Sequence, residues 1–223
     1  MKYYPVNLDI RRQSCLVVGG GAVGTRKVKT LLDCGASVTV VSPEVTDPIS
    51  VLAGENRILL KLRPYQTSDL DGVFLVIGAT NNKELNRAIH ADAGKQGKLC
   101  NIADQPDLCN FILPSVIERG DLIIAISTSG KSPAFARRLR KQLEVQFGPE
   151  YAEFIKLMGV VRKILLEQTH NPEAHRRVFE SLIDQGLLEC IRDGDKAQIN
   201  NILISVLGSG HGHDWVCERG NDI

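Results

Sequence analysis

The chain has 223 residues, 43% of them hydrophobic and 24% charged, with a formal net charge of +1. This is enough chain for one or two domains with a real core, and the composition is that of an ordinary globular protein. The near-neutral charge argues against a general nucleic-acid binder, and no apolar run approaches the ~20 residues that span a bilayer.

Asn7 and Asp9 stand where a signal peptide would be apolar, so secretion is not expected. Residues 15–18 read as a short buried strand. Gly19, Gly21 and Gly24 follow in G-x-G-x-x-G order, and residues 22–32 read as a helix closed by Gly35. Residues 37–42 form a second strand, its valines and Thr39 favouring extended chain. Residues 57–62 read as a third strand, and the apolar run 73–79 as a buried parallel one. A helix over 82–96 and a fifth strand over 98–102 complete the alternation. Such alternation predicts βαβ units and a parallel sheet, so residues 1–112 are expected to form a Rossmann-type α/β domain.

The pattern changes after Asp104. Residues 111–114 and 122–126 read as strands of an antiparallel pair, separated by a turn over 117–121. Ser132 and Pro133 open a basic helix over 133–147, which Gly148 and Pro149 break. Helices over 151–169, 173–184 and 195–207 follow, and 208–223 reads as a loose tail. The expected division is thus 1–112, a small segment 113–148, and a helical domain 149–223. The six cysteines, at 15, 34, 100, 109, 190 and 217, show no C-x-x-C pair and no zinc spacing. Cys15, Cys34 and Cys100 read as core thiols of a protein in a reducing cytoplasm.

The glycine motif follows a strand, opens a helix and leads into a second strand, the context that points to a dinucleotide. Gly19 permits the tight turn, Gly21 lets a pyrophosphate approach the backbone, and Gly24 lets helix and strand pack closely. The helix start offers free N–H groups to the phosphates. Ser42 occupies the place where an acidic residue usually binds the ribose, and a serine hydroxyl can do so too. Pro43 and Glu44 follow, with no arginine for a 2′-phosphate, which favours NAD over NADP. Thr80 and Asn81 end the fourth strand, where ligands of parallel sheets bind; Asn81 and Asn82 also read as a helix cap. Asp104 ends the fifth strand on the same side, either as a proton acceptor or metal ligand, or as a turn residue. Residues 127–132 form a serine-rich loop that could hold an anion at a helix start, without the Walker A arrangement. Arg137, Arg138, Arg140 and Lys141 make the next helix basic, either as a solvated face or as a means of steering a polycarboxylate. His211 and His213 in the tail suit adventitious metal binding at most, and His90, His170 and His175 stand alone.

Taken together, residues 15–23 with Arg26 and Lys27, 31–43, Ala79 to Asn81 with Asn86, 100–104, 111–115, and 126–134 with Arg137 resemble the siroheme-synthase dehydrogenase family. Its members are precorrin-2 dehydrogenases, some of them also sirohydrochlorin ferrochelatases. The resemblance covers roughly residues 3–148. It implies a Rossmann domain binding NAD, a segment that builds a homodimer, and a helical part completing a tetrapyrrole cleft. The family's catalytic aspartate falls on Asp104. The implied cofactor set is Gly19, Gly21, Ala22, Val23, Gly24, Ser42, Pro43, Thr80 and Asn81; Ser127, Thr128, Ser129, Lys131, Arg137 and Arg138 are expected at the substrate. Where the family often has alanine, this chain has Gly24, and either is expected to fit. No methyltransferase activity is expected, and no resident metal.

The expected activity is therefore NAD-dependent oxidation of precorrin-2 to sirohydrochlorin, on the way to siroheme or cobalamin, with Fe2+ insertion as a further activity. The alternative is a non-enzymatic NAD-sensing module. It would account for the glycines but would not require Asp104, the serine-rich loop or the basic helix.

Overall fold

The first strand, β1 (Ser14–Gly20), is buried along nearly its whole length in the computed structural model, which describes residues 2–168, 170–208 and 212. It pairs in parallel with β2 (Ser37–Val45) on one side and β4 (Leu75–Gly78) on the other. Next to β2 lies β3 (Leu59–Lys61), and next to β4 lies β5 (Leu99–Ile102), giving the all-parallel order β3-β2-β1-β4-β5. Parallel neighbours need crossovers; α1 (Ala22–Asp33), α2 (Asp47–Gly54) and α3 (Lys83–Lys95) supply three of them. Side chains alternate along β1. Cys15 and Val17 pack with Val28, Leu31, Ile49 and Leu52, while Leu16 and Val18 pack with Leu70, Val76, Ile89 and Ile102. Both faces of the sheet are thus covered, which is why its strands read as continuous apolar runs.

The connection from β3 to β4 is pinned by a buried carboxylate. Asp69, its side chain 1% exposed, accepts from Arg63 at 2.6 Å, Lys61 at 2.9 Å and the Gln66 amide at 3.0 Å. The Arg63 guanidinium above all, then Lys61 and the Gln66 amide, hold this carboxyl well below the usual range, against the effect of burial. Tyr65 is fixed nearby, its hydroxyl donating to Asp92 at 3.3 Å.

The chain divides into two units, Met1–Leu113 and Pro114–Ile223. The second begins with an antiparallel hairpin, β6 (Ser115–Arg119) and β7 (Leu122–Ile126). Its first strand lies beyond the 111–114 expected from sequence, and the turn is shorter than 117–121. Residues 110 and 111 are instead held by β5. The Asn110 side chain accepts from the Cys100 amide at 2.8 Å, and Asn101 Nδ2 donates to the Phe111 carbonyl at 3.0 Å. Pro114, which lacks an N–H, ends that segment.

Ser132 caps α4 (Pro133–Gln146) as expected, accepting from the Phe135 amide at 3.3 Å. At the other end Arg119 donates to the Phe147 carbonyl at 2.8 Å and the Glu144 carbonyl at 3.2 Å. The remaining helices, α5 (Glu150–Gln168), α6 (Pro172–Asp184), α7 (Leu187–Asp193) and α8 (Lys196–Leu207), share a core built from Val161, Leu182, Leu187 and Leu203. Residues 114–148 and 149–223 fall in the same unit.

Two short helices, α2 and α7, had no counterpart in the sequence expectation. Cys34 is exposed at the end of α1 rather than in the core, because the helix stops there and Gly35 turns the chain away. Cys15 and Cys100 are buried, and burial pushes each thiol up to about 11. No described helix is long and apolar enough to cross a membrane. His211, His213 and Cys217 lie outside the described residues.

Candidate functional site

A cleft of about 850 Å³ opens at the carboxyl ends of β1, β2 and β4. The strand order reverses there, between β1 and β4, which is where open parallel sheets hold ligands. Three segments wall it, all in the first unit: 18–23, 41–46 with Pro64 and Tyr65, and 79–82 with Leu85.

The glycine loop forms the first wall. Gly19 has φ +112°, and a Cβ on it would drive into the Ala79 carbonyl, so turn and close approach both call for glycine. A Cβ on Gly21 would meet nothing within 4 Å, which leaves the backbone open to a ligand at that point. No side chain caps the first turn of α1. Its N–H groups, with Ala22 and Val23 in the wall, therefore suit the phosphates of a dinucleotide. Gly24 is more constrained than the sequence suggests. A Cβ there would fall far inside contact with the Gly19 carbonyl oxygen, so alanine does not fit without a shift.

In the second wall β2 runs past Ser42 to Val45, which pairs with Gly20. Ser42 is buried, and its hydroxyl donates to the Glu44 carbonyl at 2.5 Å. Its proton is engaged inside the turn, and only lone pairs remain for a ribose. Pro43 and Glu44 both line the cleft. Among the described residues Glu44 is the one charged side chain in the wall, which holds no lysine or arginine. Thr46, which sequence reasoning missed, has its hydroxyl 2.7 Å from that of Thr25, joining the turn after β2 to α1. Tyr65 was missed as well. Neither residue belongs to a motif; each reaches the cleft only through the fold.

Thr80 and Asn81 stand in the third wall. Asn82, not Asn81, caps α3, accepting from the Leu85 amide at 3.0 Å. Asn81 is exposed to the cleft, while Thr80 is bonded to buried Asn86.

Asp104 lies at the same end of the sheet, just past β5 and outside the cleft wall, exposed and with φ +60°. Its positive charge neighbour is Lys27 of α1. Burial lowers the pKa of the Lys27 ammonium, Arg26 adds to this, and Asp104 opposes it. Among the described residues no three His, Cys, Asp or Glu side chains gather as a metal site.

The serine-rich loop belongs to the second unit. Ser127 accepts from the Ser129 amide at 3.1 Å, and Thr128 from the Ser132 amide at 3.1 Å. The N–H groups expected to hold an anion are thus partly taken by the loop's own hydroxyls. Lys131, Arg137 and Arg138 are exposed and make no ion pair among the described residues, whereas Arg140 pairs with Glu144.

Sheet order, uncapped glycine loop and switch-point cleft define a Rossmann-type dinucleotide-binding protein. A family model described as "Putative NAD(P)-binding" matches residues 6–115, and one described as "Sirohaem biosynthesis protein central" matches residues 119–146. The chain belongs to the siroheme-synthase family that its motifs resemble, and it binds a nicotinamide cofactor. It is 34% identical over 210 residues to a siroheme synthase of Nitrosococcus oceani, covering 94% of this chain and 45% of that protein. A siroheme synthase of Methylobacillus flagellatus is 35% identical over 213 residues, with 95% and 45% covered. The chain therefore spans a little under half the length of these two relatives. A solved structure titled SirC, precorrin-2 dehydrogenase, superposes with a TM-score of 0.76 at 28% identity, covering 92% of this chain and 99% of that one.

Proposed function

We propose that this chain oxidises precorrin-2 to sirohydrochlorin with NAD+. The balance is precorrin-2 + NAD+ giving sirohydrochlorin + NADH + H+. The observation that carries this reading is the likeness to a precorrin-2 dehydrogenase over nearly the whole of both chains. Bound NAD+ supplies the hydride acceptor. The first turn of α1, with Gly19, Gly21, Ala22, Val23 and Gly24, holds the pyrophosphate. Ser42 and Pro43 border the adenosine ribose, and Thr80 and Asn81 the nicotinamide half. Glu44 and a wall free of cations favour NAD over NADP, since a 2′-phosphate beside that carboxylate would be repelled. Asp104 takes the proton that leaves as hydride departs. Lys131, Arg137 and Arg138, without ion partners among the described residues, meet the substrate's carboxylates, and the hydroxyls of Ser127, Thr128 and Ser129 add hydrogen bonds.

Asp104→Ala tests this against a sensing module. Turnover, followed anaerobically by NADH absorbance, should fall ~10²–10⁴-fold while NAD+ affinity stays. Unchanged turnover would remove Asp104 from the chemistry. Absence of NADH formation by the wild type, with NAD+ still bound, would favour the sensor. Fe2+ insertion into the sirohydrochlorin formed is assigned on the relatives' name, siroheme synthase. Iron uptake no faster than in an enzyme-free control would withdraw it.

The protein also self-associates, on this reading, into a homodimer through the hairpin. Among the described residues β6 and β7 form a sheet of only two strands, with Val116 and Ile123 41% and 53% exposed on its outer side. A monomer in sedimentation at tens of micromolar would contradict this.

A further inference from the structure

Asn86 is a neutral amide in α3, 1% exposed, and it is not part of the cleft wall. A buried amide is costly unless both its ends are bonded. Here both ends go to one residue. Asn86 Nδ2 donates to the Thr80 carbonyl at 3.1 Å, and the Thr80 hydroxyl donates to Asn86 Oδ1 at 3.1 Å. A carbonyl can only accept, which fixes the nitrogen end and leaves Oδ1 to take the hydroxyl proton. The Asn82 amide donates to the same hydroxyl oxygen at 3.2 Å, and the Asn82 carbonyl is the longer alternative acceptor at 3.3 Å. Either way the Thr80 proton stays within the loop and is not offered to a ligand. Asn81, next in the chain, is the exposed amide of this wall, and its side chain makes no hydrogen bond among the described residues.

We infer that Asn86 is a positioning residue for the cofactor. Through Thr80 it sets the loop between β4 and α3 so that Asn81 presents its amide to the nicotinamide half. The inference rests on the dinucleotide reading of the cleft. It makes the Thr80 hydroxyl a handle for the wall rather than a donor to the ligand, and it makes the effect selective for one half of the ligand. The adenosine half meets the glycine loop, residues 42–46 and Tyr65, none of which hydrogen-bonds to Asn86.

The test compares NADH with ADP-ribose, which lacks the nicotinamide ring, by calorimetric titration of the full chain. Asn86→Leu and Thr80→Val should each weaken NADH about tenfold, and leave ADP-ribose within about twofold. Thr80→Ser, which keeps the hydroxyl, should restore NADH binding. The double variant should lose no more than either single one, because both remove the same link. Equal weakening of both ligands would assign Asn86 a merely structural role, and unchanged NADH affinity would also overturn the inference. Thr80→Val carries the test by itself if Asn86→Leu does not fold. A wild type that binds neither ligand would overturn the cofactor reading, and this inference with it.

Discussion

The glycine loop enters α1 with its first-turn donors uncapped, whereas the serine loop enters α4 with several of its donors already engaged. Both lead into a helix N-terminus, and by sequence both looked ready for an anion. At Gly21 no side chain competes with a ligand for the N–H groups. At 127–132 the hydroxyls of Ser127, Thr128 and Ser132 accept from the amides of Ser129, Ser132 and Phe135. A residue that can cap a helix also closes it to ligands. Glycine, with nothing to offer its own backbone, keeps the site available. On the proposed function, the second unit would meet an anionic substrate mainly with side-chain cations rather than with backbone dipoles.

The strongest way to break this contrast is Gly24→Ala. The added methyl displaces the Gly19 carbonyl and with it the turn that opens the glycine loop. It should lower stability by ~2 kcal/mol and weaken NADH about thirtyfold, which is the same energy. Thermal melting and NADH titration would read both, and normal NADH affinity would show that the loop tolerates alanine after all. A smaller effect is expected in the second unit. Neutralising Lys131, Arg137 and Arg138 together should raise KM for the tetrapyrrole about five- to tenfold, from exposed charge pairs worth ~0.5 kcal/mol each. The rise should shrink in high salt, with NADH affinity untouched. A KM that does not move would return these cations to the role of a solvated face.

Much of the first unit was legible, because its signals are local and periodic. The glycine spacing placed β1 and α1, apolar runs placed β4 and β5, and Gly35 marked the helix end. What escaped depends on contacts distant in sequence. The strand expected over 111–114 shifted to 115–119 because Asn101 and Cys100, on β5, bind the residues before it. Ser42 was recognised at its position, but that its hydroxyl turns back to Glu44 is a matter of local conformation that sequence does not display. Gly24 looked replaceable because helix–strand packing sounds tolerant of a methyl, and only the Gly19 carbonyl makes it otherwise. Asn86 was noted within a family pattern, yet nothing in its neighbours indicates that its amide closes on Thr80. Thr25 and Thr46 meet across 21 positions of chain with no motif joining them.

Arg119, on the hairpin, closes the end of α4. Its guanidinium satisfies two carbonyls that helix geometry leaves without amide donors. Separating the hairpin from the helix would expose those acceptors and the arginine together. The strands Ser115–Arg119 and Leu122–Ile126 and the last turn of α4 should then open as one cooperative unit. Their amide protons should exchange with solvent at a common rate, set by a single subglobal unfolding rather than by independent fraying.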